Sequence, residues 1–263
     1  MTNQIEVPVN PEIAQEQFVI YKKPKTLTDK PLHYCPGCAH GVVHKLLMEV
    51  VDEMDIQDKI IGVAPVGCSV FAYDYMNIDM QEAAHGRACA VGTAIKRMMP
   101  DKFVFTYQGD GDLAAIGTAE TIHAANRGEN MLVVFINNAV YGMTSGQMAP
   151  TTLPDMATTT SPYGRDVKTM GYPLRMSELL AQLPATYYIT RQSVHTSVNV
   201  RKTKKAIRKA LEYQKEGKGF CMIEVVGNCP SNWRMTPLES QKFVEEKMIE
   251  YFVLGDVKDL GGK

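Results

Sequence analysis

The sequence predicts an α/β protein on a doubly wound, mostly parallel sheet. Three observations carry that expectation. Strand-like apolar runs alternate with stretches of helical periodicity along most of the chain. Two of those runs hold continuously apolar stretches, FVF (103–105) within Phe103–Tyr107 and MLVVFI (Met131–Ile136), as strands covered on both faces must. The composition is globular, 45% hydrophobic and 22% charged over 263 residues, a length for one large α/β domain or two small ones.

Taken in order, residues 1–33 read as an extended arm, polar and interrupted by Pro8, Pro11, Pro24 and Pro31. Such an arm orders only by docking on something. From Ala39 to Met54, Val43, Leu46, Leu47, Val50, Val51 and Met54 fall at helical spacing. Ile60–Val66 is a buried-strand candidate, and Arg87–Met99 a helix stopped by Pro100. Phe103–Tyr107 runs into Gly109-Asp110-Gly111. Leu113–Arg127 reads as one helix capped by Gly128, and Met131–Ile136 as the next strand. Residues 139–176 lack periodicity, which marks a functional segment or one ordered by a partner. Strand Tyr187–Thr190, the basic helix Thr196–Tyr213 and strand Phe220–Val226 follow, then a mixed tail from Trp233.

Charge and hydropathy exclude some classes. With 28 basic and 29 acidic residues the net charge is -1, too little positive charge for a nucleic-acid protein. The longest uncharged stretch, Met131–Pro154, holds Asn137, Asn138, Ser145 and Gln147 and could not satisfy its backbone in lipid. The opening residues lack the basic flank and apolar run of a secretory signal, so a cytoplasmic location is expected. There the six cysteines are thiols or metal ligands rather than disulfides.

Two constellations carry chemistry. Gly109 to Asn138 spans the end of one strand, a helix and the end of the next, a βαβ unit that puts Asp110 and Asn138 side by side at the ligand-binding edge of the sheet. A carboxylate and an amide oxygen are hard ligands suited to Mg²⁺ and phosphate oxygens. Gly109 and Gly111 admit close backbone approach, and the helix starting near Asp112 favours an anion at its N-terminus. A GDG turn by itself is most simply a strand-to-helix connection; Asn137-Asn138 after the next strand shifts the balance. The second constellation is Cys35-Pro36-Gly37-Cys38, with Cys68 and Cys229 each just past a strand end. A CxxC before a helix could be a redox pair or half a zinc site, and four thiolates at one edge could hold zinc or a [4Fe–4S] cluster. Cys89 and Cys221 lie inside a helix and a strand and read as small buried hydrophobes.

Together these residues resemble the β subunit of the 2-oxoacid:ferredoxin oxidoreductases, a thiamine diphosphate-binding family, over roughly residues 31–240. The matching pieces are YCPGCAHG (34–41), VGCS (66–69), HGRA (85–88), GDGD (109–112), NNAVYGMTSGQ (137–147) and NCP (228–230). The resemblance is nearest to the 2-oxoisovalerate (branched-chain) or 2-oxoglutarate type. It implies that Asp110, Asn138 and the Val140 carbonyl bind Mg²⁺, and that Cys35, Cys38, Cys68 and Cys229 bind one [4Fe–4S] cluster. It also implies that Val66, Gly67, Cys68, Ser69, His85, Gly86, Arg87, Ala88, Gly109, Gly111, Asp112, Gly142 and Met143 surround thiamine diphosphate. Arg87 would meet the substrate carboxylate. His85 would lie in the site, and Ser145, offering no charge for a second carboxylate, would favour a monocarboxylate side chain. The implied division is an arm (1–33), a thiamine diphosphate/[4Fe–4S] domain (34–232) and a C-terminal extension (233–263).

The implied activity is oxidative decarboxylation of a 2-oxoacid to acyl-CoA and CO₂, with electrons passing through the cluster to ferredoxin. An α subunit would supply the aminopyrimidine-binding domain and its Glu, with γ and δ subunits as further candidates, and the chain alone would be inactive. Coenzyme A and the 2-oxoacid complete the ligands. The alternatives are a non-redox thiamine diphosphate decarboxylase or carboligase, and a zinc-stapled nucleotide-binding subunit without catalysis. The basic run Arg201–Lys209 reads as a solvated helix face, or else as a docking patch for an acidic partner or coenzyme A phosphates.

Overall fold

A computed structural model describes residues 21–262. Seven strands form the main sheet in the order β2-β1-β3-β4-β8-β7-β9. They are β1 (Ile60–Pro65), β2 (Asp79–Ala83), β3 (Phe103–Gly109), β4 (Leu132–Asn137), β7 (Thr186–Ser193), β8 (Phe220–Val226) and β9 (Gly255–Asp259), while β5 (Val140–Tyr141) and β6 (Gln147–Met148) make a separate small hairpin. Pairing is parallel everywhere in the main sheet except β7 with β9. This is the expected α/β class.

Alternate side chains of the central strands enter two different cores. Phe105, Tyr107, Val134, Ile136, Ile223 and Val225 pack with helices α1 (Ala39–Glu53) and α2 (Ala72–Tyr75) and with the long basic helix Ser197–Lys215. Val104, Val133, Phe135, Phe220 and Met222 face the opposite layer, which includes α3 (Ala88–Met98) and α4 (Thr118–Asn126). Apolar residues on both faces are why FVF and MLVVFI read as uninterrupted hydrophobic runs. Cys221 and Cys89 sit fully buried, one in each core, as small hydrophobes.

Four differences from the sequence reading matter. The helix expected over 113–127 is broken: a π-helical turn, Asp112–Ile116, precedes α4. A Cβ at Gly117 would stand 2.3 Å from the Asp112 carbonyl oxygen and 2.7 Å from that of Gly86, so the chain is pressed here to a contact only glycine allows. Secondly, the aperiodic segment 139–176 is ordered from within. Arg165, almost fully buried, donates to the carbonyls of Pro150 (2.9 Å), Thr152 (2.7 Å), Met170 (3.2 Å), Gly171 (2.8 Å) and Tyr172 (3.0 Å). A buried guanidinium that meets only carbonyl dipoles holds both ends of the loop together.

Thirdly, residues 21–33 dock on their own domain, where Thr26 donates to the Met48 carbonyl (3.0 Å) and Leu27 bridges to Met76; the expected arm over 1–20 lies outside the described residues. Fourthly, the residues after 232 are continuous with the domain, since β9 closes the sheet edge beside β7. Three cations of the basic run are used internally. Lys204 pairs with Glu49 and Glu53, Arg208 with Glu53, and Lys209 with Asp259, joining that helix to α1 and β9. Among the described residues, no helix is long and apolar enough to cross a membrane.

Candidate active site

The parallel register of β3 and β4 pairs Gly109 with Ile136, so the residues after each strand leave the sheet at one edge. Asp110 and Asn138 meet there: the Asn138 backbone N–H donates to Asp110 Oδ2 at 3.1 Å. Thr151, delivered by the Arg165-held loop, donates its hydroxyl to Asp110 Oδ1 at 2.7 Å. Its neighbour Thr152 donates to the Ala139 carbonyl at 2.6 Å. Burial pushes the Asp110 carboxyl up to about 7, against the hydrogen bonds from Thr151 and Asn138.

The side-chain amide of Asn138 completes a trio. Its atom facing Asp110 lies 2.8 Å from Asp110 Oδ2 and 2.8 Å from the Val140 carbonyl oxygen. As oxygen, that atom meets two other acceptors at contact distance. A small hard cation among the three oxygens removes the repulsion; without one, the amide turns its NH₂ toward them. The donor set therefore fits Mg²⁺.

These groups line an open cleft with Val66, Gly67, Cys68, His85, Gly109, Gly111, Asp112, Gly142 and Met143. Side chains at Gly67 (φ +127°) and Gly109 would project into empty space, so glycine there leaves room for a ligand against the backbone. Ser69 Oγ is buried without a hydrogen-bond partner. Asp112 is buried and accepts from Gln108 Nε2 (2.6 Å) and the Gly86 N–H. His85 Nδ1 lies 2.9 Å from its Oδ1. Burial raises the Asp112 carboxyl, while these hydrogen bonds oppose the shift. With Nδ1 engaged, His85 presents Nε2 near Gly111, where a Cβ would stand 3.6 Å away.

The four expected cluster cysteines approach one another beside this cleft. Cys68 Sγ and Cys229 Sγ stand 3.2 and 3.7 Å from the point a Gly142 Cβ would occupy, so a side chain there would crowd the Cys68 sulfur. The CPGC turn is stitched to the Cys229 loop. Asn228 Nδ2 donates to the Gly37 carbonyl (2.9 Å), and Cys38 Sγ lies 3.7 Å from the Asn228 carbonyl oxygen. Asn232 Nδ2 donates to Cys229 Sγ at 3.2 Å. Burial pushes the Cys38 and Cys68 thiols up to about 12, with the neighbouring thiols adding to the rise, and Cys229 is raised for the same first reason. A bound metal would take the place of those protons. Among the described residues, no three His, Cys, Asp or Glu side chains close on a single point as one metal ion requires.

Comparison with known proteins decides the family. Residues 65–225 match the thiamine pyrophosphate enzyme, C-terminal TPP-binding domain. The chain is 36% identical over 241 residues to the 2-oxoglutarate synthase subunit KorB of Methanocaldococcus jannaschii, covering 89% of this chain and 85% of that protein. The chain belongs to the 2-oxoacid oxidoreductase family of thiamine pyrophosphate enzymes. It is also 50% identical over 227 residues to the ketoisovalerate oxidoreductase subunit VorA of Methanothermobacter thermautotrophicus, covering 86% of this chain but 48% of that one. The chain thus spans about half the length of the VorA relatives it matches. A solved 2-oxoglutarate:ferredoxin oxidoreductase from Magnetococcus marinus, with 2-oxoglutarate, coenzyme A and succinyl-CoA bound, superposes with a TM-score of 0.73 at 26% identity, over 88% of this chain and 75% of that one.

Against the family expectation, five named residues lie apart from the cleft lining. Ala88 is buried with Val63 and Ala83 and serves the core. Arg87 pairs with Glu120 at 2.5 Å and is half exposed. Gly86 (φ +77°) touches Ile116 and Gly117 and acts on the site through Asp112. Ser69 turns inward with its hydroxyl buried. Ser145 stands at φ +84° in an exposed turn after Thr144. Conversely, the cleft is also lined by His40, Tyr141 and Thr144, which the sequence reading missed. His40 lies in the matched YCPGCAHG piece, and its Nδ1 is 2.9 Å from the Tyr107 hydroxyl. Trp233 Nε1 donates to the Asn138 carbonyl at 3.2 Å, tying the tail to the loop after β4.

Proposed function

We propose that this chain is the thiamine diphosphate-binding subunit of a 2-oxoacid:ferredoxin oxidoreductase that converts a branched-chain 2-oxoacid, with coenzyme A, to acyl-CoA and CO₂. The observation that supports the reading is that three oxygen donors and the Cys68 and Cys229 thiols lie at one sheet edge beside a single cleft, with Cys38 packed on the Cys229 loop. Asp110, Asn138 and the Val140 carbonyl would hold Mg²⁺, and Cys35, Cys38, Cys68 and Cys229 a [4Fe–4S] cluster. Thiamine diphosphate, when bound, supplies a nucleophilic carbon and an electron sink, and the cluster supplies one-electron steps.

The chain's own residues position and screen. Gly67, Gly109 and Gly111 let backbone approach the diphosphate. Asp112 fixes the His85 ring, so its Nε2 can hold or give a proton at the cleft. Val66 and Met143, both partly exposed on the rim, exclude water once a partner covers them. Arg87 reaches a substrate carboxylate only by exchanging it for Glu120. Ser145 brings no positive charge to a second carboxylate, which supports the branched-chain preference, as does the likeness to ketoisovalerate oxidoreductase subunits. The aminopyrimidine-binding Glu comes from an α subunit, electrons leave to ferredoxin, and the complex works in the cytoplasm.

The test is anaerobic assay of the reconstituted complex with coenzyme A and pyruvate, 2-oxoglutarate or 2-oxoisovalerate, following ferredoxin reduction. The expected result is the highest kcat/KM with 2-oxoisovalerate and none from the chain alone. A wide preference for 2-oxoglutarate refutes the Ser145 argument, and no reduction with any of the three refutes the activity.

A further inference from the structure

Strand β8 carries one charged residue, Glu224, in an otherwise apolar sequence (FCMIEVV). It is fully buried. Its carboxylate accepts from Asn137 Nδ2 (2.7 Å), Arg191 Nε (2.9 Å) and the Ser177 hydroxyl. Arg191, equally buried, makes a two-pronged pair with Glu178 (2.9 and 2.5 Å) and donates to the Val253 carbonyl (3.2 Å). The buried charge is thus matched by Arg191, and charge balance alone does not require Asn137.

Asn137 ends β4, immediately before the metal-facing loop. Its other terminus, Oδ1, accepts from the Ala139 N–H at 3.2 Å. Ala139 is in the left-handed region (φ +59°), which a residue with a Cβ adopts only when its surroundings impose it. Beyond that turn the Asn138 carboxamide lies 2.8 Å from both Asp110 Oδ2 and the Val140 carbonyl oxygen. Both ends of the Asn137 amide are therefore engaged, one by the strand below and one by the strained peptide above.

We infer that Asn137, clamped by Glu224, is a positioning residue for the divalent-cation site: it imposes the Ala139 turn and so the direction of two of the three oxygen donors. The inference rests on the metal assignment under Proposed function. Outer-shell partners of this kind set ligand orientation, and their loss typically weakens metal binding about 10–100-fold.

The test uses the assembled complex, freed of divalent cation and titrated with Mn²⁺ in the presence of thiamine diphosphate, with free Mn²⁺ read by electron paramagnetic resonance. Asn137→Ala is expected to raise the Mn²⁺ Kd about 10–100-fold. Ser177→Ala removes another donor to the same carboxylate; it should lower the unfolding midpoint and leave Kd unchanged. Wild-type Kd in Asn137→Ala overturns the inference. So does an equal rise in Ser177→Ala, which marks general loosening. If Asn137→Ala does not fold, Asn137→Ser, whose hydroxyl can still accept from the Ala139 N–H but cannot span to Glu224, should show a smaller rise, and an unchanged Kd there overturns it too. If the wild-type complex takes up no Mn²⁺, the metal assignment itself fails and takes the inference with it.

Discussion

The oxygen half and the sulfur half of the candidate site are built differently. The oxygens sit at the ends of two central strands. Asp110 and Asn138 are buried, and Thr151, Trp233 and the Asn137 peptide turn hold them from three sides. The thiols come from connecting loops, and they run from exposed Cys35 through half-buried Cys38 and Cys68 to buried Cys229. Protein–protein hydrogen bonds shape the first half before any ligand arrives. In the second half, burial pushes the Cys38 and Cys68 thiols up, so the proposed cluster would have to displace their protons. A hydrogen-bonded cradle therefore adjoins a set of loop thiols that the proposed cluster would complete.

The largest effect expected from this contrast is all-or-none. Cys68→Ser should abolish the visible absorption of the cluster and ferredoxin reduction by the complex, while thiamine diphosphate and metal still bind. Simultaneous loss of thiamine diphosphate would show the two halves to be one cooperative unit. Next come the oxygens. Asp110→Ala should weaken Mn²⁺ binding beyond the roughly 100-fold ceiling usual for outer-shell partners, and Thr151→Val by about tenfold, both by equilibrium titration. Equal losses would mean that Thr151 does more than orient the carboxylate.

A smaller effect tests the ring layer under the sulfur loops. Tyr34, which precedes Cys35, stacks on His40 and meets His44 edge-on. Burial, and then His33, lower the His44 pKa to about 4. A histidine depressed in the folded state contributes stability above its unfolded value near 6.5 and loses it as pH falls toward 4. Stability at pH 5 should thus lie about 2 kcal/mol below that at pH 7 from this residue, read by thermal unfolding. His44→Phe should reduce that slope, the remainder coming from buried His40, whose pKa burial lowers to about 3; an unchanged slope would assign the acid lability elsewhere. The smallest effect is expected from Cys221→Ala, a core thiol away from the edge. It should cost about 1 kcal/mol of stability and no iron. Iron loss in that variant would mean that the cluster cysteines have been misassigned.

How much was legible in the sequence follows the same division. The βαβ unit was readable because strands buried on both faces leave uninterrupted apolar runs, and because the GDG and NN pairs fall at the two strand ends. Strand β2 was not, since Asp79–Ala83 (DMQEA) is an edge strand with exposed polar side chains. The order of residues 139–176 depends on one buried arginine reaching carbonyls up to 16 positions away, a contact without a local signature. The four cysteines are placed together by motif resemblance; Asn228 lies in the NCP piece but its reach to the Gly37 carbonyl has no sequence signal, and Asn232 lies outside every matched piece. Glu224 is a charge inside an apolar strand that the sequence reading passed over; what it holds, Asn137, lies 87 positions earlier and emerges only in the fold.

Anaerobic purification of the complex, with iron, sulfide, zinc and thiamine diphosphate analysis and a visible spectrum, tests the shared edge most directly. A brown protein with about four irons and four sulfides attributable to this chain, together with bound thiamine diphosphate, is the predicted result. A colourless protein holding zinc without the vitamin cofactor, or the cofactor with no iron, would contradict it.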